Sequence, residues 1–369
     1  MTDKLDVVVT GHLCLDLIPE MDHVLLNELP TPGRLFEVGP MSVSTGGAVS
    51  NTGLALHTLG ARVRFLANVG DDHISNLIIE YISQYSPDLV PGIRRVSGVP
   101  SSYTIVLSPE RRDRIFLHCT GTNATFGLDD IDFDLVAQGK IFHFGYPPIL
   151  PRMYQDGGHE LREIFLRAKR AGAVTSLDMS LPDASGPAGK ADWRSVLEGV
   201  LPNVDIFVPS IDEIIFCLYR DRFNAWKGRC AEQISFADLD AAADELLAMG
   251  PAVVGFKLGE YGIYLAAADG ARLSGLSDNL ILESWGLKRV WHPAFAVEVA
   301  GTTGAGDSAY AGLMVAMLRG DSIDDAARFA CGAGACNVER PDATSGIRSA
   351  SEILARIASG WEVRNLRPK

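Results

Sequence analysis

Two periods of apolar spacing take turns along most of this chain. Val7-Val8-Val9 is an apolar run that reads as a strand ending near Gly11 and Asp16. Ala48 to Leu59 carries a helical pattern closed by Gly60, after which Val63, Phe65, Ala67 and Val69 recur at every second position, as in a strand. Leu161, Ile164, Phe165 and Ala168 fall at i, i+3, i+4 and i+7, and Gly172 follows as a helix stop. The strand Val174 to Leu177 comes next, with Asp178 at its carboxyl end. Further on, the helix Leu239 to Met249 leads through Gly250 into the apolar strand Ala252 to Phe256. Repeated βα units of this kind predict an α/β fold with a mostly parallel sheet covered by helices on both faces. In such sheets ligands bind beyond the carboxyl ends of the strands, where Asp16, Asp178 and Gly259 are expected.

Two stretches break the rhythm. Residues 17–40 carry Pro19, Pro30, Pro32, Gly33 and Pro40 among hydrophobic positions. Residues 99–120 hold two β-like runs, Tyr103 to Leu107 and Arg114 to Cys119, separated by Ser108-Pro109-Glu110-Arg111. Together they suggest a small β appendage beside the main sheet, either a lid or an ordinary surface hairpin.

Composition narrows the partners. With 369 residues, 47% apolar and 21% charged, the chain can build one large α/β core. A net charge of −13 argues against a nucleic-acid groove, which needs Lys and Arg along a phosphate backbone. The six cysteines form no CxxC pair and read as reduced thiols in a cytoplasmic protein. The polar start, Met1 to Asp6, does not resemble a signal peptide, and no apolar run is long enough to predict a membrane span.

The segment with the most chemistry is Phe295 to Leu318. A β-like run, Phe295 to Val299, meets Gly301-Thr302-Thr303-Gly304-Ala305-Gly306-Asp307, and a helix follows with small or apolar residues on one face. Glycines at 304 and 306 let the backbone approach a ligand, and the free amides of a helix's first turn attract anions. Asp307 is either a first-turn acid placed on the helix dipole or a base facing a hydroxyl beside an anion hole. Neither GxGxxG nor the Walker-type GxxxxGK[ST] is present.

GTTGAGD at 301–307 resembles the C-terminal signature of the ribokinase-like (PfkB) carbohydrate kinases. Gly46-Gly47-Ala48-Val49-Ser50-Asn51, followed by Leu59-Gly60 and Val69-Gly70-Asp71-Asp72, resembles the N-terminal one, so the likeness extends over residues 5 to 350. It implies a three-layer α/β/α fold, with residues 1–16, 41–95 and 121–369 as the kinase core and 17–40 and 96–120 as a β-sheet lid. It also implies ATP- and Mg2+-dependent phosphorylation of a hydroxyl on a sugar or polyol. Asp307 would be the base, with Gly304, Ala305 and Gly306 forming the anion hole. By the same resemblance Asp16, Gly46, Gly47 and Asn51 hold the acceptor, and Lys257, Gly259, Gly262, Cys331 and Gly334 face the nucleotide. Glu213, in Pro209-Ser210-Ile211-Asp212-Glu213, would act on the metal through water, with Ser210 in place of the family's asparagine. Gly301 replaces an aspartate that commonly helps hold a monovalent cation, which puts potassium activation in doubt, and Ser75 stands where the family usually has glycine. Arg111, Arg112 and Arg114 are candidates for a phosphate on the substrate, against a solvated hairpin face. A lid-to-lid homodimer is common among relatives. The alternatives are a nucleoside kinase of the same fold and a sugar-binding regulator without turnover. Which hydroxyl of which acceptor is used does not follow from the sequence.

Overall fold

The structure is a computed structural model and describes residues 4–369 apart from 23, 26, 28–31, 110–114 and 277. Its strands are β1 (Leu5–Gly11), β2 (Cys14–Pro19), β3 (Met41–Gly46), β4 (Val63–Gly70), β5 (Ile93–Val96), β6 (Tyr103–Leu107), β7 (Ile115–Cys119), β8 (Gly139–Gly145), β9 (Val174–Asp178), β10 (Ile206–Phe207), β11 (Val253–Lys257), β12 (Ile263–Ala267) and β13 (Arg289–His292). Nine of them form one sheet in the order β13-β12-β11-β10-β9-β8-β1-β4-β5. Neighbours from β11 to β5 run parallel, and β12 and β13 add an antiparallel edge.

Both faces of this sheet are covered, which explains the near-continuous burial of its strands. Val7 and Val9 point into one core with Tyr310, Leu313 and Phe329, whereas Val8 joins Phe142, Phe165 and Ile214 in the other. The alternation read at 63–69 has the same origin: Val63, Phe65, Ala67 and Val69 belong to the first core and Leu66 to the second. Of the positions between, Leu66 and Asn68 are buried as well, and Arg64 is half-buried. The helix His159–Arg170 buries Leu161, Ile164, Phe165 and Ala168, the four positions its spacing selects.

The small sheet has the order β3-β2-β6-β7, with β2 and β6 parallel and the other two pairs antiparallel. Here the structure departs from the sequence reading. β1 stops at Gly11, whose φ of 115° turns the chain out of the main sheet, and Asp16 lies inside β2. Residues 14–16 and 41–46, assigned above to the core, pair within the small sheet. The turn joining β6 and β7, with Arg111, Arg112 and Arg114, lies outside the described residues.

Phe295 to Val299 is also no strand. It makes a single bridge, Phe295 to Val363, while Phe295 stacks on Trp361 with ring centroids 4.4 Å apart. Its apolar side chains serve a cavity wall instead. Ser75, in the glycine position of the N-terminal signature, is buried, and its hydroxyl donates to Asp72 O at 2.6 Å. Asp72 caps the helix His73–Tyr85 and accepts from Ser101 N at 2.7 Å, tying the segment that leads into β6 to the core. Among the described residues no helix is long and apolar enough to cross a membrane.

Candidate active site

The helix Ala305–Arg319 begins at Gly304, whose φ of 74° is left-handed; a Cβ there would also lie 2.5 Å from Ala343 O. Only glycine fits this turn without strain. Gly306 is needed for a different reason: its backbone is not left-handed, and a Cβ there would meet the Lys257 side chain first, at 3.5 Å. Its contribution is space in front of the amides.

Asp307 occupies the first turn of this helix but makes no cap to it. Its side chain, 4% exposed, crosses to other elements. Oδ1 accepts from Tyr146 Oη at 2.5 Å and from Thr52 Oγ1 at 3.0 Å, and Oδ2 accepts from Asn51 Nδ2 at 3.2 Å. A carboxylate has about four lone-pair sites, so one remains, on Oδ2. The simple helix-acid reading leaves these three bonds to other elements unexplained.

Asn51 and Thr52 sit in the first turns of the helix Ala48–Thr58, which starts at Gly47. That helix docks on the strand ends because Gly145 has no side chain: a Cβ there would lie 2.0 Å from Ala48 Cβ. Tyr146 follows directly, with φ 70°, an uncommon conformation for a non-glycine residue. The bend places its hydroxyl on Asp307. Burial, then the charges of Asp307 and Asp178, hold that hydroxyl protonated and so a donor. Neither Thr52 nor Tyr146 carries a sequence signal beyond adjacency, the first to Asn51 and the second to a strand end.

Next to Asp307 lies a cavity of about 520 Å³. Ala305, Gly306 and Asp307 line it together with Lys257, Gly259, Gly262, Cys331, Gly334 and Glu213, so the catalytic, nucleotide and metal candidates converge on one space. Gly304 stands behind it as the helix cap. Burial raises the Cys331 thiol to about 12, and its Sγ donates to His292 O at 3.6 Å, so it acts as a neutral wall.

The acceptor candidates do not line this cavity. Gly46 and Gly47 leave room for other groups: a Cβ on Gly46 would lie 2.4 Å from Asp16 Oδ2, and one on Gly47 2.4 Å from His12 Nδ1. Among these candidates, Asn51 is bonded to Asp307 directly.

Lys257, at the end of β11, makes a buried two-pronged ion pair with Asp178 at the end of β9, with Nζ 2.6 and 2.7 Å from the two oxygens. Burial pulls the ammonium down, but Asp178, Glu213 and Asp307 pull it further up, so it stays charged. Burial raises Asp178 to about 7; Lys257 opposes this, and Glu213 and Asp307 add to it. Glu213 is raised by burial as well. It also completes a capping box with Ser210, accepting from Ser210 N at 2.7 Å, so its helix-start role is present in the structure. The cavity wall carries Asp178, Asp212, Glu213, Glu260 and Asp307 against Lys257 and Arg364.

The model of the pfkB family of carbohydrate kinases matches residues 4–350. This chain belongs to that family. Fructokinase-2 of Solanum habrochaites is 23% identical to this pfkB chain over 364 residues, 96% of each protein. Probable fructokinase-4 of Arabidopsis thaliana is 23% identical over 60% of the chain, and the aligned part spans 64% of that protein. Among solved structures, Arabidopsis thaliana ribokinase complexed with ribose and ATP superimposes with a TM-score of 0.73 at 20% identity, covering 95% of this chain and 98% of that one. The likeness establishes a ribokinase fold for this pfkB protein: a large, mostly parallel sheet between helices with a small sheet beside it.

Proposed function

We propose that this protein transfers the terminal phosphoryl group of ATP to a hydroxyl of a sugar or polyol, with Asp307 as the base. One observation carries the reading: the Asp307 carboxylate ignores its own helix end and is held by Tyr146, Thr52 and Asn51 at the cavity wall. Three donors fix its orientation and leave one Oδ2 lone pair to take the acceptor proton. Ala305, Gly306 and Asp307, the first turn of the helix, line the same cavity; the Ala305 amide is taken by Thr302 O at 3.3 Å, so Gly306 and Asp307 are the residues of this turn assigned to negative charge there. Lys257, one side chain away from Gly306, adds a fixed cation where the phosphoryl oxygens gather charge.

The wall fits a nucleotide that arrives with a divalent cation. Five carboxylates and two basic groups line the cavity, an excess of negative charge that would repel a bare polyphosphate. Mg2+ supplies compensating charge there. Such an ion keeps several of its waters and binds largely through the phosphates. The ordering of those waters is assigned to Glu213, which lines the cavity.

A monovalent cation is not part of this proposal. A Cβ on Gly301 would lie 2.7 Å from Pro341 O, so an aspartate at 301 does not fit the present backbone. The small sheet acts as a lid over the acceptor in this reading, supported by two acceptor candidates, Asp16 of β2 and Gly46 of β3, lying against each other within it. The test is ADP release with MgATP across D-fructose, D-ribose, myo-inositol and nucleosides. Acceptor-dependent release with a sugar supports the reading, and its absence across the panel overturns it.

A further inference from the structure

A polar group buried without a partner costs free energy, so each one has a reason. Among the described residues, His12 is the side chain with two buried, unpartnered polar atoms, Nδ1 and Nε2. It is 3% exposed and lies in the link between β1 and β2. Its backbone is fixed: His12 N donates to Gly145 O at 3.2 Å, and His12 O accepts from Val49 N at 3.1 Å. The other fully buried histidine, His143, differs, because its Nδ1 pairs with Ser176 Oγ at 2.9 Å inside the core.

The surroundings of the ring include one acceptor candidate, Gly47, and the tyrosine that holds Asp307. Gly47 makes room for Nδ1, and the His12 ring centroid is 5.3 Å from that of His118 on β7 and 6.2 Å from that of Tyr146. The imidazole thus stands between the small sheet and the tyrosine that holds Asp307. A third unpartnered buried atom, Asn51 Oδ1, belongs to the helix that starts at Gly47. Burial, with a smaller push from His118, lowers the His12 pKa to about 3, so the ring is uncharged.

We propose that His12 is a specificity-determining residue: one ring nitrogen donates to, and the other accepts from, hydroxyl groups of an uncharged polyol acceptor. This rests on the kinase reading and deepens it, naming the substrate class as a neutral sugar. A neutral imidazole offers one donor and one acceptor and no charge to offset a carboxylate or phosphate.

The experiment compares wild type with His12→Phe and His12→Gln, using D-fructose, D-ribose, D-gluconate and fructose 6-phosphate as acceptors, with calorimetric titration of each sugar alongside. His12→Phe is expected to raise KM for the preferred neutral sugar about tenfold or more, with KM for ATP within about twofold. His12→Gln, which keeps a donor and an acceptor, recovers part of the loss. Should His12→Phe not fold, as judged by thermal melting, the same comparison is made with His12→Ala. An unchanged sugar KM in the apolar variant, or a wild-type preference for D-gluconate or fructose 6-phosphate, overturns the inference and leaves the kinase reading standing. If wild type binds a neutral sugar but transfers nothing, and binding weakens in His12→Phe, the kinase reading falls and this one stands. No binding of any neutral sugar to wild type overturns it.

Discussion

Replacing Asp307 by asparagine separates the base from the scaffold around it. In wild type, Oδ1 accepts from Tyr146 and Thr52 and Oδ2 from Asn51. An asparagine with its oxygen toward Asn51 and its NH2 toward the two hydroxyls keeps every partner, because hydroxyls accept as well as donate. The charge on those bonds is lost, about 0.5–1.5 kcal/mol of stability, or on the order of a few degrees in Tm. Loss of a positioned base costs about 10²–10⁴ in rate, roughly 2.7–5.4 kcal/mol of barrier. Asp307→Asn is therefore expected to melt close to wild type, to bind ATP with similar affinity by calorimetry, and to lose at least about a hundredfold in kcat. Asp307→Ala differs: it strands the buried Asn51 Nδ2 and costs about 1–3 kcal/mol in addition. The assay is coupled ADP release at saturating MgATP and sugar, with urea unfolding for stability. A kcat for Asp307→Asn within about tenfold of wild type refutes the base assignment, because no positioned base is worth so little.

Three further outcomes follow from the same geometry. Lys257→Met leaves Asp178 as an unpaired buried carboxylate, expected to cost about 3–5 kcal/mol in urea unfolding. The double variant Lys257→Met/Asp178→Asn regains most of that stability but not kcat, and recovery of kcat as well would exclude Lys257 from phosphoryl transfer. Asp178 is raised from 3.8 to about 7 in the fold, so the folded state holds the proton more tightly than the unfolded chain. Its contribution is full below about pH 4 and lost as pH rises through about 7. Melting curves of wild type are expected to lose ground to Asp178→Asn across that window, and parallel curves would contradict this. Finally, exchanging K+ for Na+ at constant ionic strength is expected to leave kcat unchanged, since the Gly301 backbone lies against Pro341; a several-fold potassium activation would refute that assignment.

Part of this architecture is legible from local spacing. The positions selected at 161–168 are buried as their period requires. The strand after Gly172 and the helix before Gly250 fall within a few residues of their expected places. Phe295 to Val299 misled because an apolar run looks the same whether it faces a sheet or a cavity. Asp16 was placed on the wrong sheet because Gly11 turns the chain between two strands that are nearly contiguous in sequence.

By itself, the amino-acid order determined the alternating βα layout, the glycine-rich turn before Asp307 and the family that this turn and the Gly46-Gly47 segment resemble, all encoded in short-range spacing. Folding alone decided which side chains hold that carboxylate. Asn51, Thr52 and Tyr146 reach it across 256, 255 and 161 positions. The Lys257–Asp178 pair and the unpartnered ring of His12 arise in the same way. Periodicity says which face of an element is buried. Only the closing of parallel strands side by side, with their carboxyl ends at one edge, decides which residues meet there.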